Sequence, residues 1–301
     1  MEIAETGFIR HLGKDQLVPE SSKHLDRLFD PEQFTIMPFD VAQYTRARDY
    51  CVTASDANSI VHKDKTLRGE NKYMSADKLL LCKANGFPDI SGIPAIQHGR
   101  KYEREALELY ELKTGNKLWQ KDGSYSVGFV RPVGELSWLG MTPDAIGLNH
   151  EFLVEVKCPY HNRIFSADVP HHNYPQLQQQ MGILGVKELH FVRYVPGQRI
   201  DVRRVHFNKT WWRDYLELAK QFSIRMKDRD EIQRVQKLFA ARAKKLSEGK
   251  IKREQERFKR QKCEIILPPT TSPGSPESSS DQSTARVARA TASQPRSPTQ
   301  L

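Results

Sequence analysis

The run Phe152-Leu153-Val154-Glu155-Val156-Lys157-Cys158-Pro159 restricts the fold of this chain more than any other. Its β-branched and aromatic residues, stopped by a proline, read as a strand. Glu155 and Lys157 stand two apart, so they leave the same face, and Val154 and Val156 point into a core on the other. Upstream lies Trp138-Leu139-Gly140-Met141-Thr142-Pro143-Asp144-Ala145-Ile146-Gly147, and Gly147-Leu148-Asn149-His150 between the two runs is turn chemistry. The pattern predicts a β-hairpin that sets Asp144, at one strand's end, beside the middle of the next. An unpaired ion buried on such a sheet is costly. A divalent cation changes that balance. Asp144 and Glu155 offer hard oxygens of the kind Mg²⁺ or Mn²⁺ takes while keeping several waters. Lys157 can then orient or help deprotonate a metal-bound water and stabilise charge on a phosphate. The alternative is a surface Glu–Lys pair on an exposed sheet.

Around this hairpin the pattern alternates. Helices are predicted over 43–60, 75–81 and 98–113, the third ended by Gly115 as a C-cap. Strands follow over 118–120, 125–130, 136–142 and 152–157. A helix over 173–184 has Asn173 as N-cap and Pro175 in its first turn, with strands over 188–194 and 200–207 and a helix from Thr210 behind it. Helix, strands, helix, strands describes an α/β layer with a mixed sheet flanked by helices. Residues 228–262 carry a dense charge pattern with an apolar stripe of Val235, Leu238 and Phe239, and read as a basic helical extension. Four segments result: an irregular N-terminal extension (1–38), the α/β domain (39–222), the basic helix (223–265) and a Pro/Ser/Thr-rich tail (266–301), which buries too little apolar surface to order.

Composition narrows the partners. Forty-seven Lys and Arg against 37 Asp and Glu give a net charge of +10, which favours a polyanion. No apolar run reaches the roughly 18 residues of a membrane helix, and no apolar leader opens the chain, so an intracellular protein is expected. The cluster Arg257-Phe258-Lys259-Arg260-Gln261-Lys262 reads as a basic helix end or as a nuclear address. Cys51, Cys82, Cys158 and Cys263 are too scattered for a disulfide scaffold or a zinc knuckle.

The arrangement P-D, ten residues, then E-V-K, with W-L-G-x-T-P-D before it and C-P after it, resembles the PD-(D/E)XK nucleases. More narrowly, it is similar to the branch holding lambda exonuclease and the YqaJ viral recombinase nucleases. Three further blocks agree in order. Tyr44-Thr45-Arg46-Ala47-Arg48 with Val52-Thr53-Ala54-Ser55 resembles the family's aromatic–x–x–x–Arg and I-T-A-S element, with Tyr44 where the family has tryptophan. His98-Gly99-Arg100-Lys101-Tyr102-Glu103 resembles its G-x-x-x-E helix, and Gln176-Leu177-Gln178-Gln179-Gln180-Met181 its Q-x-Q-x-x-M helix.

The resemblance implies a restriction-endonuclease-like core and hydrolysis of DNA phosphodiesters. It makes Asp144 and Glu155 metal ligands, with the Val156 carbonyl as a third, and Lys157 the group acting on the water. Glu103 joins the metal shell directly or through water, Gln176 positions the nucleophile, and Arg48 with Ser55 holds a 5′-phosphate. It further implies Mg²⁺ with Mn²⁺ as substitute and 5′→3′ digestion of double-stranded DNA ends; the four cysteines lack the late grouping that holds an iron–sulfur cluster in some wider relatives, so none is expected. A ring-shaped homotrimer and a role in recombination or repair beside a single-strand annealing recombinase complete the expectation. The rivals are an endonuclease on the same core and a non-catalytic nucleic-acid-binding protein with a nuclease-like fold. His161, His171 and His172 read as solvated loop residues.

Overall fold

In the computed structural model, residues 30–37, 46–61, 67, 74–148, 151–161 and 168–266 are described, with side chains as far as Arg257. The predicted tail, the start of the helix at Gln43 and Tyr44, and the turn residues Asn149 and His150 lie outside the described residues. The strands are β1 (Phe34–Met37), β2 (Val52–Thr53), β3 (Phe129–Pro132), β4 (Leu139–Gly140), β5 (Ala145–Ile146), β6 (Phe152–Lys157), β7 (Glu188–Val195) and β8 (Arg199–His206). The helices are α1 (Ala57–Ile60), α2 (Ala76–Asn85), α3 (Pro94–Thr114), α4 (Tyr174–Leu184), α5 (Lys209–Arg225) and α6 (Arg229–Ile266).

A four-stranded sheet in the order β5-β6-β7-β8 forms the centre. β5 and β6 are antiparallel, with Ala145 opposite Val154, which is the predicted hairpin. β6 and β7 are parallel, joined through α4, and β7 and β8 are antiparallel. The sheet is therefore mixed. Ala106, Leu107 and Tyr110 of α3 pack with Val154, Val156 and Val192 in one apolar cluster. Leu177 and Met181 of α4 and Trp212 and Tyr215 of α5 pack with Leu153, Leu189 and Phe191 in the other. Helices thus cover both faces, which explains why β6 reads as a nearly continuous apolar run.

Local chemistry sets the helix ends. Pro94 opens α3 and Gly115 closes it at φ 73°, a left-handed conformation that glycine adopts without penalty. Asn173 stands at the α4 N-cap position as predicted, although its side chain makes no capping hydrogen bond. Asn208 does cap α5, accepting from the Trp211 N–H at 3.0 Å.

Several sequence expectations fail in detail. The helix over 43–60 is broken: residues 46–49 are helical, then Val52 and Thr53 pair in parallel with Leu139 and Gly140 of β4, then a 3-10 turn leads into α1. The strands over 118–120 and 125–130 shrink to the isolated bridges Leu118–Gly147 and Lys121–Ser124 and to the start of β3. The strand over 136–142 gives way to a 3-10 turn at Gly134–Leu136 and the short β4. The first forty residues are not irregular throughout, because β1 pairs with β3, Phe34 opposite Pro132. On α6 Val235 is buried with the half-buried Ile232 and Phe239 packed beside it, while Leu238 is exposed. Among the described residues no helix is long and apolar enough to cross a membrane.

The chain divides into two units, Met1–Ala243 and Lys244–Leu301. In the second, every described side chain from Lys244 to Arg257 is exposed.

Gly182 fixes how closely α4 approaches α5. A Cβ built there would lie 2.6 Å from two ring atoms of the fully buried Trp212. In an open helix, Gly→Ala gains about 1 kcal/mol. Here overpacking reverses the sign, so Gly182→Ala lowers stability by about 1–3 kcal/mol, read as a lower midpoint of urea unfolding.

Candidate active site

β6 carries Glu155 into the interior on the face that meets α4, and the carboxylate is only 2% exposed. Every contact to it is a donor. Lys157 Nζ and Gln176 Nε2 (2.6 Å) donate to Oε1, and Gln180 Nε2 donates to Oε2 at 2.8 Å. This removes the surface-pair reading of Glu155 and Lys157. The antiparallel register that sets Ala145 against Val154 brings Asp144 level with Glu155. There its Oδ2 accepts the Val156 N–H at 2.7 Å. Glu103, half-buried on α3, lines a cleft of 240 Å³ together with Asp144, Arg100 and Arg104. Glu105 and Glu108 on the same helix are exposed, one taking the Tyr194 hydroxyl and the other pairing with Arg104 at 2.8 Å.

Electrostatics bind these groups into one unit. Burial, then the Glu155 and Glu103 carboxylates, push Asp144 well above the usual carboxylate range. Burial and Glu155 also raise Glu103. Burial works against the Lys157 ammonium, but Glu155 and Asp144 outweigh it and hold this lysine above its ordinary value. Lys157 is a cation at neutral pH.

The second constellation is built on the broken helix. Arg48 Nη2 donates to Ser55 Oγ at 3.2 Å, and Ser55 Oγ lies 2.9 Å from Thr53 Oγ1. Lys83, on α2, fixes this turn from inside. Its ammonium donates to the carbonyls of Arg48 (2.7 Å) and Cys51 (2.9 Å) and pairs with Asp56 at 2.7 Å. Asp56 in turn accepts the Thr53 N–H and hydroxyl at 2.8 and 2.7 Å.

Residues 43–187 match the model of the YqaJ-like viral recombinase domain. That segment, just under half of the chain, is similar to the family's domain. No curated protein matches the chain. Among solved structures, an alkaline exonuclease from Laribacter hongkongensis is 20% identical with a TM-score of 0.50, covering 67% of this chain and 98% of that one. The same enzyme in complex with dAMP gives a TM-score of 0.49 at 20% identity and the same coverage. A phage-related exonuclease from Haemophilus somnus 129PT is 15% identical, with a TM-score of 0.41 over 57% of this chain and 93% of that one. The YqaJ-like domain therefore shares the α/β fold of a nuclease.

Within the YqaJ-like domain, Asp144, Glu155, Lys157, Glu103 and Gln176 come together, and Arg48 meets Ser55 in a separate turn. Val156 contributes its N–H to Asp144. Sequence reasoning missed Gln180, which holds the second oxygen of Glu155, and Lys83, which holds the Arg48 turn. A glutamine run reads as polar surface, yet Gln178, Gln179 and Gln180 are fully buried. Gln178 bonds the His206 carbonyl and the Asn208 N–H, and Gln179 bonds the carbonyls of Val52 and Gly140. The run of polar residues inside an otherwise helical apolar stripe was the available signal. His161, His171 and His172 are exposed, and Cys158 is half-buried with its thiol pushed up to about 12 by burial and neighbouring carboxylates.

Among the described residues, no three His, Cys, Asp or Glu side chains stand at metal-ligand spacing. The hydrogen bonds above hold Glu155 on Lys157 and two glutamines, and Asp144 on a backbone N–H. The donor set nonetheless fits Mg²⁺ or Mn²⁺, because Mg²⁺ commonly takes one or two carboxylates and keeps several waters. Three carboxylates influence one another here with Lys157 as the ammonium among them. In addition, the buried Gln180 Oε1 has no donor among the described residues, an acceptor that a hydrated cation's water can satisfy.

A pH prediction follows from the raised carboxyl of Asp144. Its folded-state value lies above the unfolded one, so its contribution is fully present at acid pH and is lost as pH rises through the folded value. Asp144→Asn removes that dependence. In chelator, the stability of the variant relative to wild type rises from acid to neutral pH, measured by urea unfolding at both.

Proposed function

We propose that this protein is a divalent-metal-dependent deoxyribonuclease that digests one strand of duplex DNA from a phosphorylated 5′ end. One observation carries the reading: the buried Glu155, held by Lys157, Gln176 and Gln180, lies level with Asp144 across the β5–β6 pair, inside a YqaJ-like domain. Asp144 and Glu155 would hold the cation, with the Val156 carbonyl and Glu103 completing the shell. When bound, that ion acts as a Lewis acid on the phosphoryl group and lowers the pKa of water.

The chain's own residues do the rest. Gln176 and Gln180 fix the Glu155 carboxylate from both oxygens, so its orientation needs no rearrangement during the reaction. Gln176, on the accessible side, also orients the attacking water. Lys157 places a positive charge where negative charge develops on the phosphate as the P–O bond breaks. Arg48 and Ser55 supply a guanidinium and a hydroxyl for the terminal phosphate, the pairing suited to bidentate recognition of such a group. Hydrolysis leaves a 5′-phosphate on the remaining strand, which is the substrate for the next cycle. A single-stranded product suits recombination or repair with an annealing recombinase as partner, and a homotrimeric ring belongs to the same proposal.

The test uses linear duplexes with 5′-phosphate or 5′-hydroxyl ends and a closed circle, with Mg²⁺ and with chelator. Rapid loss of the phosphorylated linear duplex in Mg²⁺ alone is the expected result. Equal cutting of the circle would make the protein an endonuclease. DNA binding that is steeply salt-dependent, independent of metal and without cleavage would make it a binding protein.

A further inference from the structure

We infer that the groove beside the Arg48 turn is a binding site for single-stranded DNA. The groove, 840 Å³ in volume, runs from Asp49 and Tyr50 past the end of α2 and Trp138 to the corner between α5 and α6. It is larger than the 240 Å³ cleft at the carboxylates and separate from it in its lining.

Three observations give the ligand its class. Arg131, Lys227 and Arg229 line the groove against the single acid Asp49, while Lys83 in the same wall is already paired with Asp56. At the same corner Arg225 is consumed by Asp77 and Glu231, and Arg234 by Glu231. Lys227 and Arg229, both exposed, form no ion pair among the described residues, so their charge faces the groove's solvent. The second observation is aromatic. Tyr50 is 78% exposed and Trp138 half-buried in the same wall. Cations beside accessible rings are the recurring design for single strands, where rings stack on bases and charges follow the backbone.

The third observation is continuity. Asp49 and Tyr50 directly follow Arg48, and Lys83 in the groove wall donates to the Arg48 carbonyl. Just under half of the wall, Ser223 to Gln236, comes from outside the segment that matches the YqaJ-like family. The site is thus an addition of this chain to the domain. Resting on the reading above, the strand it takes is the one that digestion leaves unpaired, held next to the turn that grips the other strand's end.

Fluorescence anisotropy tests this in chelator, where nothing is cut. The probe is a 5′-hydroxyl oligo-dT of about 12 nucleotides, within the range that single-strand sites cover, labelled at its 3′ end. The wild-type protein binds it; K227E/R229E and Tyr50→Ala each raise Kd by about tenfold or more. Digestion of a blunt, 5′-phosphorylated duplex at saturating concentration stays at the wild-type rate in both variants. Unchanged oligo-dT affinity in either variant overturns the inference, as does poly-glutamate binding as tightly as oligo-dT. If the wild-type protein cuts no DNA, the nuclease reading fails while the anisotropy result still decides the groove. Matching melting temperatures of variants and wild type exclude misfolding as the cause of lost binding.

Discussion

Lys157→Ala lowers the rate of DNA digestion by about 10²- to 10³-fold, the usual cost of deleting a preorganised group that stabilises developing charge. The same substitution leaves the carboxylates in place and tightens divalent-cation binding. Both effects have one origin. The Lys157 ammonium donates to Glu155 Oε1, and burial of Glu155 makes that contact compete directly with a cation for the same oxygen. Removing the amine frees Oε1, while Gln176 and Gln180 still hold the carboxylate in position. Turnover assays and Mn²⁺ titration on the same preparation separate the two outcomes. A near-normal rate with normal metal affinity would remove Lys157 from the mechanism.

Arg48→Ala slows digestion of 5′-phosphorylated ends by about 10- to 100-fold, the worth of a charged hydrogen-bonding group of roughly 1.5–3 kcal/mol, and leaves 5′-hydroxyl ends near their already low rate. On the proposed function, selectivity would reside in the turn and not in one side chain. Lys83 and Asp56 tie the backbone from Arg48 to Asp56 into one shape, and that shape sets Arg48 3.2 Å from Ser55. The ratio of rates on the two kinds of end is the readout. Equal slowing on both would show that Arg48 supports the fold or general DNA affinity and does not recognise the phosphate.

The sequence was most legible where local pattern and tertiary context agree. The Asp144–Glu155 hairpin follows from a turn between two apolar runs, and the α3 end from Gly115. It was least legible where distant partners decide. Val52 and Thr53 leave a helical pattern because Leu139 and Gly140, far along the chain, offer a parallel edge. Gln179 reads as solvated until the Val52 carbonyl, 127 positions away, is seen to receive it. Lys83 lies beyond the helix expected over 75–81, and its burial depends on three acceptors contributed by another segment. Such polar groups become interior when distant segments supply hydrogen-bond partners, and the spacing of residues in sequence does not reveal that.

The most direct test is a calorimetric titration of Mn²⁺ into the protein at neutral pH, with and without a short 5′-phosphorylated duplex. The wild-type chain should take up the ion, with the Asp144 and Glu155 carboxylates as the expected ligands. Asp144→Asn and Glu155→Gln should each abolish the uptake. Absence of heat from the wild-type protein even with DNA present, or undiminished uptake by both variants, would contradict the account.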